Sequence, residues 1–106
     1  MTFRIASTFH DSLLKLNVEE QKAVKQTAFD LQLNPESPGT QLHRVNRAKD
    51  KRFWSARASR DLRLILHRST NDLLLCYVGH HDDAYHWAER RKLATHPKTG
   101  AAQIVE

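Results

Sequence analysis

The chain has 106 residues, enough for one hydrophobic core and too few for a second, so we expect a single folded domain. Its 17 Lys and Arg against 12 Asp and Glu give a net charge of +5, which favours an acidic partner such as a nucleic acid. The single cysteine, Cys76, excludes an internal disulfide, and the lack of a long apolar stretch or a signal-like start predicts a cytoplasmic protein.

The amino-terminal residues predict a short strand followed by a short helix. Residues 2–7 alternate loosely in polarity, with Phe3 and Ile5 on one side, as in a strand. Thr8 with Asp11 three residues later resembles a capping box that would open the helix.

A second helix is predicted from Val18 to about Leu33. Asn17 followed three residues later by Glu20 is a second capping-box pattern, and apolar residues recur at helical spacing after it. Pro35 ends the helix because the residue before a proline is disfavoured in the α region. We expect both helices to pack as a hairpin against the apolar face of a sheet.

The next segment predicts a loop, an extended arm and a basic turn. Residues 35–40 are rich in Pro, Gly and Ser, and residues 41–46 favour a strand or arm. The turn at 47–52 carries several charges, which suits either an ordinary solvated loop or an anion-binding surface.

Three strand-like runs then follow, separated by turn residues at 59–61 and 69–72, which predicts an antiparallel meander. Side chains two apart share a face of a strand. One predicted face is apolar and comprises Trp54, Ala56, Ala58, Leu62, Leu64 and Leu66. If that face meets the core, then Arg57, Arg63 and His67 gather on the other. Such a cationic face is a plausible place to hold a phosphodiester.

The carboxy-terminal part predicts one more helix and a tail. Residues 82–93 begin with acidic and end with basic side chains, which suits the helix macrodipole. Residues 95–100 break the pattern. We therefore place a domain at residues 1–94 and a tail or linker at 95–106.

Three short motifs resemble the RelE/ParE superfamily of toxins from bacterial toxin–antitoxin pairs. Residues 53–57 resemble the aromatic-Trp-Ser-x-Arg strand of YoeB-type members, and residues 62–65 resemble the strand with an arginine followed by aliphatics. Gly79-His80-His81 with Tyr85 resembles the strand end that contributes to the active site. The resemblance covers residues 3–91 and implies an α+β fold: a twisted antiparallel β-meander packed by an amino-terminal helical hairpin, with a short carboxy-terminal helix.

What the resemblance implies is ribosome-dependent cleavage of mRNA without a metal or other cofactor, by attack of a ribose 2′-hydroxyl on the adjacent phosphate. Arg63 is the candidate cation at phosphorus, and His81 the candidate acid, because an imidazole exchanges protons near neutral pH. Lys51 or His67 is the candidate base, and Tyr85 would stack on a nucleobase or orient the phosphate. No counterpart of the glutamate base of YoeB-type members is found.

Other basic residues are candidates for binding the RNA backbone. They are Lys49, Arg52, Arg57 and Arg44. The resemblance also implies a small antitoxin protein as partner. Two other classes of protein stay open. One is a ParE-type inhibitor that binds DNA gyrase. The other is a non-catalytic nucleic-acid-binding module of a larger helicase-like protein, because similar modules resemble the amino-terminal part of such proteins.

A metal site in the histidine-rich stretch is the weaker interpretation. His80 and His81 are adjacent to Asp82, Asp83 and His86. Neighbouring residues on a strand point to opposite faces, so His80 and His81 would not share an ion while the strand continues. We therefore predict no metal.

Overall fold

The computed structural model describes residues 2–95, 97–100 and 102–106. The helices and strands, in chain order, are β1 (Thr2–Ile5), α1 (Ser7–Leu14), α2 (Val18–Leu33), β2 (His43–Arg44), β3 (Phe53–Arg57), β4 (Leu62–Ser69), β5 (Asp72–His80), α3 (His81–Glu89), β6 (Lys92–Thr95) and β7 (Ala102–Val105). A 3₁₀ turn at Pro38–Thr40 lies between α2 and β2. None of the helices among these residues is long and apolar enough to cross a membrane.

The main sheet has five strands in the order β1-β5-β4-β3-β2. The predicted meander β3-β4-β5 is antiparallel, with Trp54 opposite Leu66 and Ala56 opposite Leu64. Strand β1 runs parallel to β5, because the two helices carry the chain across the sheet before the meander returns to the first strand. The predicted α+β fold with an amino-terminal helical hairpin is confirmed.

The hairpin of α1 and α2 covers one face of the sheet. Phe9, Val24 and Leu31 pack from the helices against the even-numbered apolar residues of β3 and β4. The predicted apolar face is therefore confirmed. It follows directly from the two-residue period of the strands and the helical spacing of the apolar residues.

The two helix starts differ in how they are capped. Asn17 Oδ1 accepts the backbone N–H of Glu20 at 2.8 Å, and the Glu20 carboxylate accepts the N–H of Asn17 at 3.0 Å, which confirms that capping box. The capping box predicted at Thr8 is wrong. Helix α1 begins directly after β1, so Thr8 lies inside the first turn and donates its hydroxyl to Cys76 O.

The opposite face of the sheet is not the open cationic surface that the alternation predicted. Helix α3 and the residues around Val45 and Ala48 cover most of it and form a second core. The members of this core are Val45, Ala48, Phe53, Ile65, Leu74, Cys76, Ala84, Trp87 and Ala88. His67 lies in the covered part of this face, while Arg57 and Arg63 lie half-buried nearer the β3–β4 turn.

The carboxy-terminal helix is shorter than predicted. It ends at Glu89, and Lys92–Thr95 instead pairs with Ala102–Val105 as a two-stranded antiparallel sheet. Leu93 and Ile104 pack against the second core, and a strand pair lets both do so. The domain boundary after residue 94 stays a prediction, although residues 102–105 are in a strand rather than an extended tail.

Candidate active site

A chain of three polar side chains lies where β2, β3 and α3 meet. Strand pairing sets His43 opposite Ser55. The Ser55 Oγ lies 2.9 Å from the Tyr85 hydroxyl and 3.4 Å from His43 Nε2. Ser55 is fully buried, whereas His43 is exposed, so the chain runs from the interior to the surface.

The orientation of this chain follows from the partners of His43. Its Nδ1 lies 3.2 Å from the backbone carbonyl of Arg44, which can only accept, so we assign the proton to Nδ1. Nε2 is then an acceptor toward Ser55. A consistent arrangement has the Tyr85 hydroxyl donating to Ser55 and Ser55 donating to His43 Nε2 over the longer distance of 3.4 Å, so the basic nitrogen is held by a long hydrogen bond.

A second imidazole closes the other side of Tyr85. His81 opens α3 one helical turn before Tyr85, and their ring centroids lie 4.5 Å apart in an edge-to-face contact. The His81 backbone N–H donates to Asp61 O at 2.7 Å, and its Nδ1 lies 3.0 Å from Asp82 Oδ1. Asp82 thereby holds the ring by Nδ1 and leaves Nε2 for another partner.

Two arginines lie next to this chain on the same face of the sheet. Arg57 and Arg63 are register partners on β3 and β4, and Arg57 is two residues after Ser55. Both guanidinium groups donate to the Ser59 carbonyl, at 3.3 Å and 3.0 Å. The β3–β4 turn therefore holds two half-buried cations on the face of the sheet that also carries Ser55.

An open cavity of about 420 Å³ adjoins this row of polar side chains at His43 and Tyr85. His43, His81 and Tyr85 line it, together with Arg44–Arg47, Asp82, His86 and Glu89. Two imidazoles, a phenol and neighbouring guanidiniums form a set that can take up a proton, give one back and stabilise an anion. We call His43, Ser55, Arg57, Arg63, His81 and Tyr85 the imidazole–arginine cluster.

The two predicted base candidates lie outside this cluster. His67 is 3% exposed and its Nε2 lies 3.1 Å from Asp50 Oδ2, which places it in the second core under α3. It is four residues from Arg63 along β4, about 13 Å at 3.3 Å per residue. Lys51 lies on the basic turn and donates Nζ to Asn46 O at 2.7 Å. Neither is carried forward as the base, since His67 is buried beside Asp50 and the Lys51 ammonium is bonded to a backbone carbonyl.

Asp50 organises the basic turn. Its Oδ1 accepts the backbone N–H and the Nε–H of Arg52, at 3.0 Å and 3.2 Å, and its Oδ2 also accepts the Leu93 N–H at 3.2 Å. These hydrogen bonds outweigh burial, which acts in the opposite sense, and lower the pKa of Asp50 to about 2. Burial lowers the pKa of His67, although Asp50 partly counteracts it. Both effects favour an ionised Asp50 beside a neutral His67.

The residues predicted to bind RNA fall in three places. Arg57 belongs to the imidazole–arginine cluster, while Lys49 and Arg52 lie on the basic turn around Asp50. The Arg44 guanidinium stacks over Trp54 at 5.0 Å from the ring centroid, as does that of Arg68 at 5.1 Å.

The sequence reading missed His43. Its position in a loosely defined arm gave no signal, because its role depends on the pairing of β2 with β3. Ser55 lies in the motif at residues 53–57, but the motif alone indicates no role for it. The pairing of β2 with β3 brings Ser55 to His43, and a hydrogen bond joins it to Tyr85.

The histidine-rich stretch does not converge on a metal geometry. Among the described residues, no group of three or more His, Cys, Asp or Glu side chains is arranged to hold an ion. His80 instead contacts Asp61 at 2.6 Å and Glu20 at 3.5 Å.

Burial raises the pKa of the Cys76 thiol to about 12, so it is a poor nucleophile.

The fold is that of RelE-like toxins, with the five-stranded sheet, the helical hairpin and α3. The resemblance seen in the motifs is therefore confirmed at the level of the fold. The chain matches no protein-family model and no curated protein. Among solved structures it is similar to a chain of the RelBE2 toxin–antitoxin complex of Mycobacterium tuberculosis. The TM-score is 0.57 and the identity 28%, over 74% of this chain and 88% of that one.

Two further structures share the fold at lower identity. One is a copper-bound mutant of a toxin from Helicobacter pylori, with a TM-score of 0.56, 19% identity and coverage of 78% of this chain and 97% of that one. The other is the DinJ–YafQ complex of E. coli, with a TM-score of 0.57, 14% identity and coverage of 76% and 93%.

Proposed function

We propose that this chain is the toxin of a type II toxin–antitoxin pair and cleaves mRNA on the ribosome without a metal. The observation that carries the proposal is the imidazole–arginine cluster on a fold shared with a chain of the RelBE2 complex. That likeness also supports a small antitoxin protein as its partner.

In this mechanism His43 replaces the base candidates inferred from the sequence. Its Nε2 takes the proton of the ribose 2′-hydroxyl when that hydroxyl replaces Ser55 at the 3.4 Å contact, while the Nδ1–H stays bonded to Arg44 O and keeps the ring oriented. The 2′-oxygen then attacks the adjacent phosphorus and the bond from phosphorus to the 5′-oxygen breaks. The products are a 2′,3′-cyclic phosphate and a 5′-hydroxyl.

The leaving oxygen and the phosphorus centre need two further groups. His81 acts in its doubly protonated form: its Nδ1–H is held by Asp82, and Nε2 gives its proton to the 5′-oxygen. Arg57 and Arg63 stabilise the extra negative charge on the phosphoryl oxygens. Their shared contact with Ser59 O preorganises both cations, so little reorganisation is needed in the transition state.

The test is induced expression in bacteria together with cleavage of a defined message on purified ribosomes. We expect growth arrest and chelator-resistant cleavage with 2′,3′-cyclic phosphate ends. Arg63→Ala should lower the single-turnover rate by about a hundredfold or more, the scale for losing one preorganised stabilising group. His43→Ala should cost about 10²–10⁴-fold, the general-base range.

Arg60→Ala is the matched control for Arg63→Ala, because Arg60 is exposed on the same β3–β4 turn. It should leave cleavage within about twofold of wild type, since a surface arginine outside the cluster stabilises no charge at phosphorus. Equal losses in both variants would show that only the net charge matters. Growth arrest without cleavage would contradict the nuclease mechanism and favour ParE-type binding of gyrase.

A further inference from the structure

A second set of cations lies at the carboxy-terminal end of α3, whereas His81 of the imidazole–arginine cluster opens that helix. Two shallow cavities of about 280 and 130 Å³ adjoin each other there, and Lys49 and Lys92 line both. We call the combined feature the basic groove. Its cations are Lys49, Lys51, Arg52, Arg90, Arg91 and Lys92.

The basic groove has a fixed wall on the side of the basic turn. The carboxylate of Asp50 is 6% exposed and bonds both to Arg52 and to the Leu93 N–H of β6. One buried acid thus ties the turn to the carboxy-terminal hairpin. Lys49 and Lys51 on this wall are exposed, and the Lys51 ammonium donates to Asn46 O at 2.7 Å.

The other wall carries two arginines that share one anion. Arg91 stacks over Trp87 at 4.8 Å and donates to the Trp87 carbonyl at 3.2 Å, so its side chain is held in place. Arg90 Nη2 and Arg91 Nη2 lie 3.2 and 3.3 Å from the same oxygen, Glu106 Oε1. A single carboxylate oxygen between two guanidiniums occupies the position that suits a phosphate oxygen. Glu106 is 62% exposed, so a polyanion can displace it at small cost.

We propose that the basic groove binds the phosphate backbone of single-stranded RNA, with the Glu106 carboxylate occupying a phosphate position until RNA displaces it. The choice of RNA rests on the proposed function. The groove itself rests on the six cations, the two cavities and the shared contact of Arg90 and Arg91 with Glu106.

The chemistry of the lining favours a polynucleotide over an acidic protein. Among the described residues that line the two cavities, Leu93 is the one apolar side chain. Protein interfaces depend on a desolvated core with aromatic or aliphatic anchors, which this lining does not supply. Phosphate contacts need only cations and carry no sequence information, so the groove would position RNA rather than select its sequence.

The test measures binding separately from cleavage. A fluorescent 2′-O-methyl oligouridylate lacks the attacking hydroxyl, so its anisotropy reports binding alone. The double variant Lys49→Ala/Lys92→Ala removes the two lysines common to both cavities. At about 0.7 counterions per phosphate contact, the slope of log K against log salt should fall by about 1.4, with a loss of affinity on the order of tenfold at about 0.1 M salt.

The matched control removes the same charge from the other side of the sheet. Lys22→Ala/Lys25→Ala changes two exposed lysines of α2 and should leave affinity and salt slope close to wild type. Glu106→Gln should raise the affinity by about two- to fivefold, because it removes the competing charge. Thermal unfolding of each variant checks that the fold is retained.

Three outcomes would overturn the inference. They are no binding by the wild type, equal losses in the two lysine pairs, and competition by a polyglutamate peptide that exceeds that of RNA of equal charge. A groove-dependent salt slope in a protein that neither arrests growth nor cleaves mRNA would support the groove while refuting the proposed function. If the protein cleaves mRNA and the groove variants bind RNA as tightly as wild type, the groove is refuted and the proposed function is not.

Discussion

Replacing Asp50 by alanine should destabilise the protein more than any comparable change at its surface. The wild-type carboxylate is 6% exposed and accepts hydrogen bonds from Arg52, His67 and Leu93. Alanine leaves the His67 Nε2–H and the Leu93 N–H without this acceptor. At about 1–3 kcal/mol for each of these two unsatisfied donors, the expected loss is about 2–6 kcal/mol.

The lowered pKa of Asp50 expresses the same hydrogen bonds on another scale. Its fall from 3.8 to about 2 corresponds to about 2.5 kcal/mol in favour of the ionised carboxylate in the folded protein. Domains of this size have total stabilities of about 5–15 kcal/mol, so the loss is a large fraction. A loss of about 2.5 kcal/mol should lower the melting temperature by roughly 10–20 °C.

Urea unfolding at neutral pH, followed by circular dichroism, measures the change in free energy. Asp72→Ala is the control, because Asp72 pairs with Arg4 at 3.9 Å with both side chains about half exposed, and such pairs contribute less than about 1 kcal/mol. Stability of the Asp50 variant within about 0.5 kcal/mol of wild type would refute the idea that this carboxylate ties the turn to β6.

Two further predictions concern stability. The free energy of unfolding should fall as the pH drops below about 6.5, because the pKa of His67 is lowered in the folded protein and the unfolded chain therefore binds the proton first. Protonation of Asp50 should lower the free energy of unfolding again as the pH falls from 3.8 toward about 2. A flat urea-unfolding profile between about pH 7 and 5 would contradict the first part. Gly79→Ala should cost about 1–3 kcal/mol and change the near-ultraviolet circular dichroism, because an added Cβ would lie 3.1 Å from the Tyr77 ring. Gly39→Ala, where a Cβ meets nothing within 4 Å, is the control; an unchanged spectrum for the Gly79 variant would show that the ring yields freely.

Local patterns in the chain were enough to predict the helical hairpin, the meander and its apolar face. The period of two along Trp54, Ala56, Leu64 and Leu66 fixes which side chains share a face, whatever the rest of the chain does. The Asn17 cap is likewise a contact between residues three apart. These features depend on neighbours in sequence, so they could be predicted before the fold was known.

Part of the candidate site was predictable for the same reason. Arg57 and Arg63 flank a short turn, and His81 and Tyr85 are one helical turn apart, so each pair is local. The role proposed for His43 was not predictable in this way. His43 meets Ser55 only through the pairing of β2 with β3, across a loop whose length sets no register by itself.

Burial of the opposite sheet face depended on tertiary packing. The alternation along β4 places His67 and Arg63 on one side, but it does not say that α3 folds back over one end of that side and leaves the other open. The same packing brings Leu93 to Asp50 and Glu106 to Arg90 and Arg91, contacts between distant segments. Local propensity carries no information about which distant surfaces meet, because that choice is made by the total apolar area buried when the elements dock.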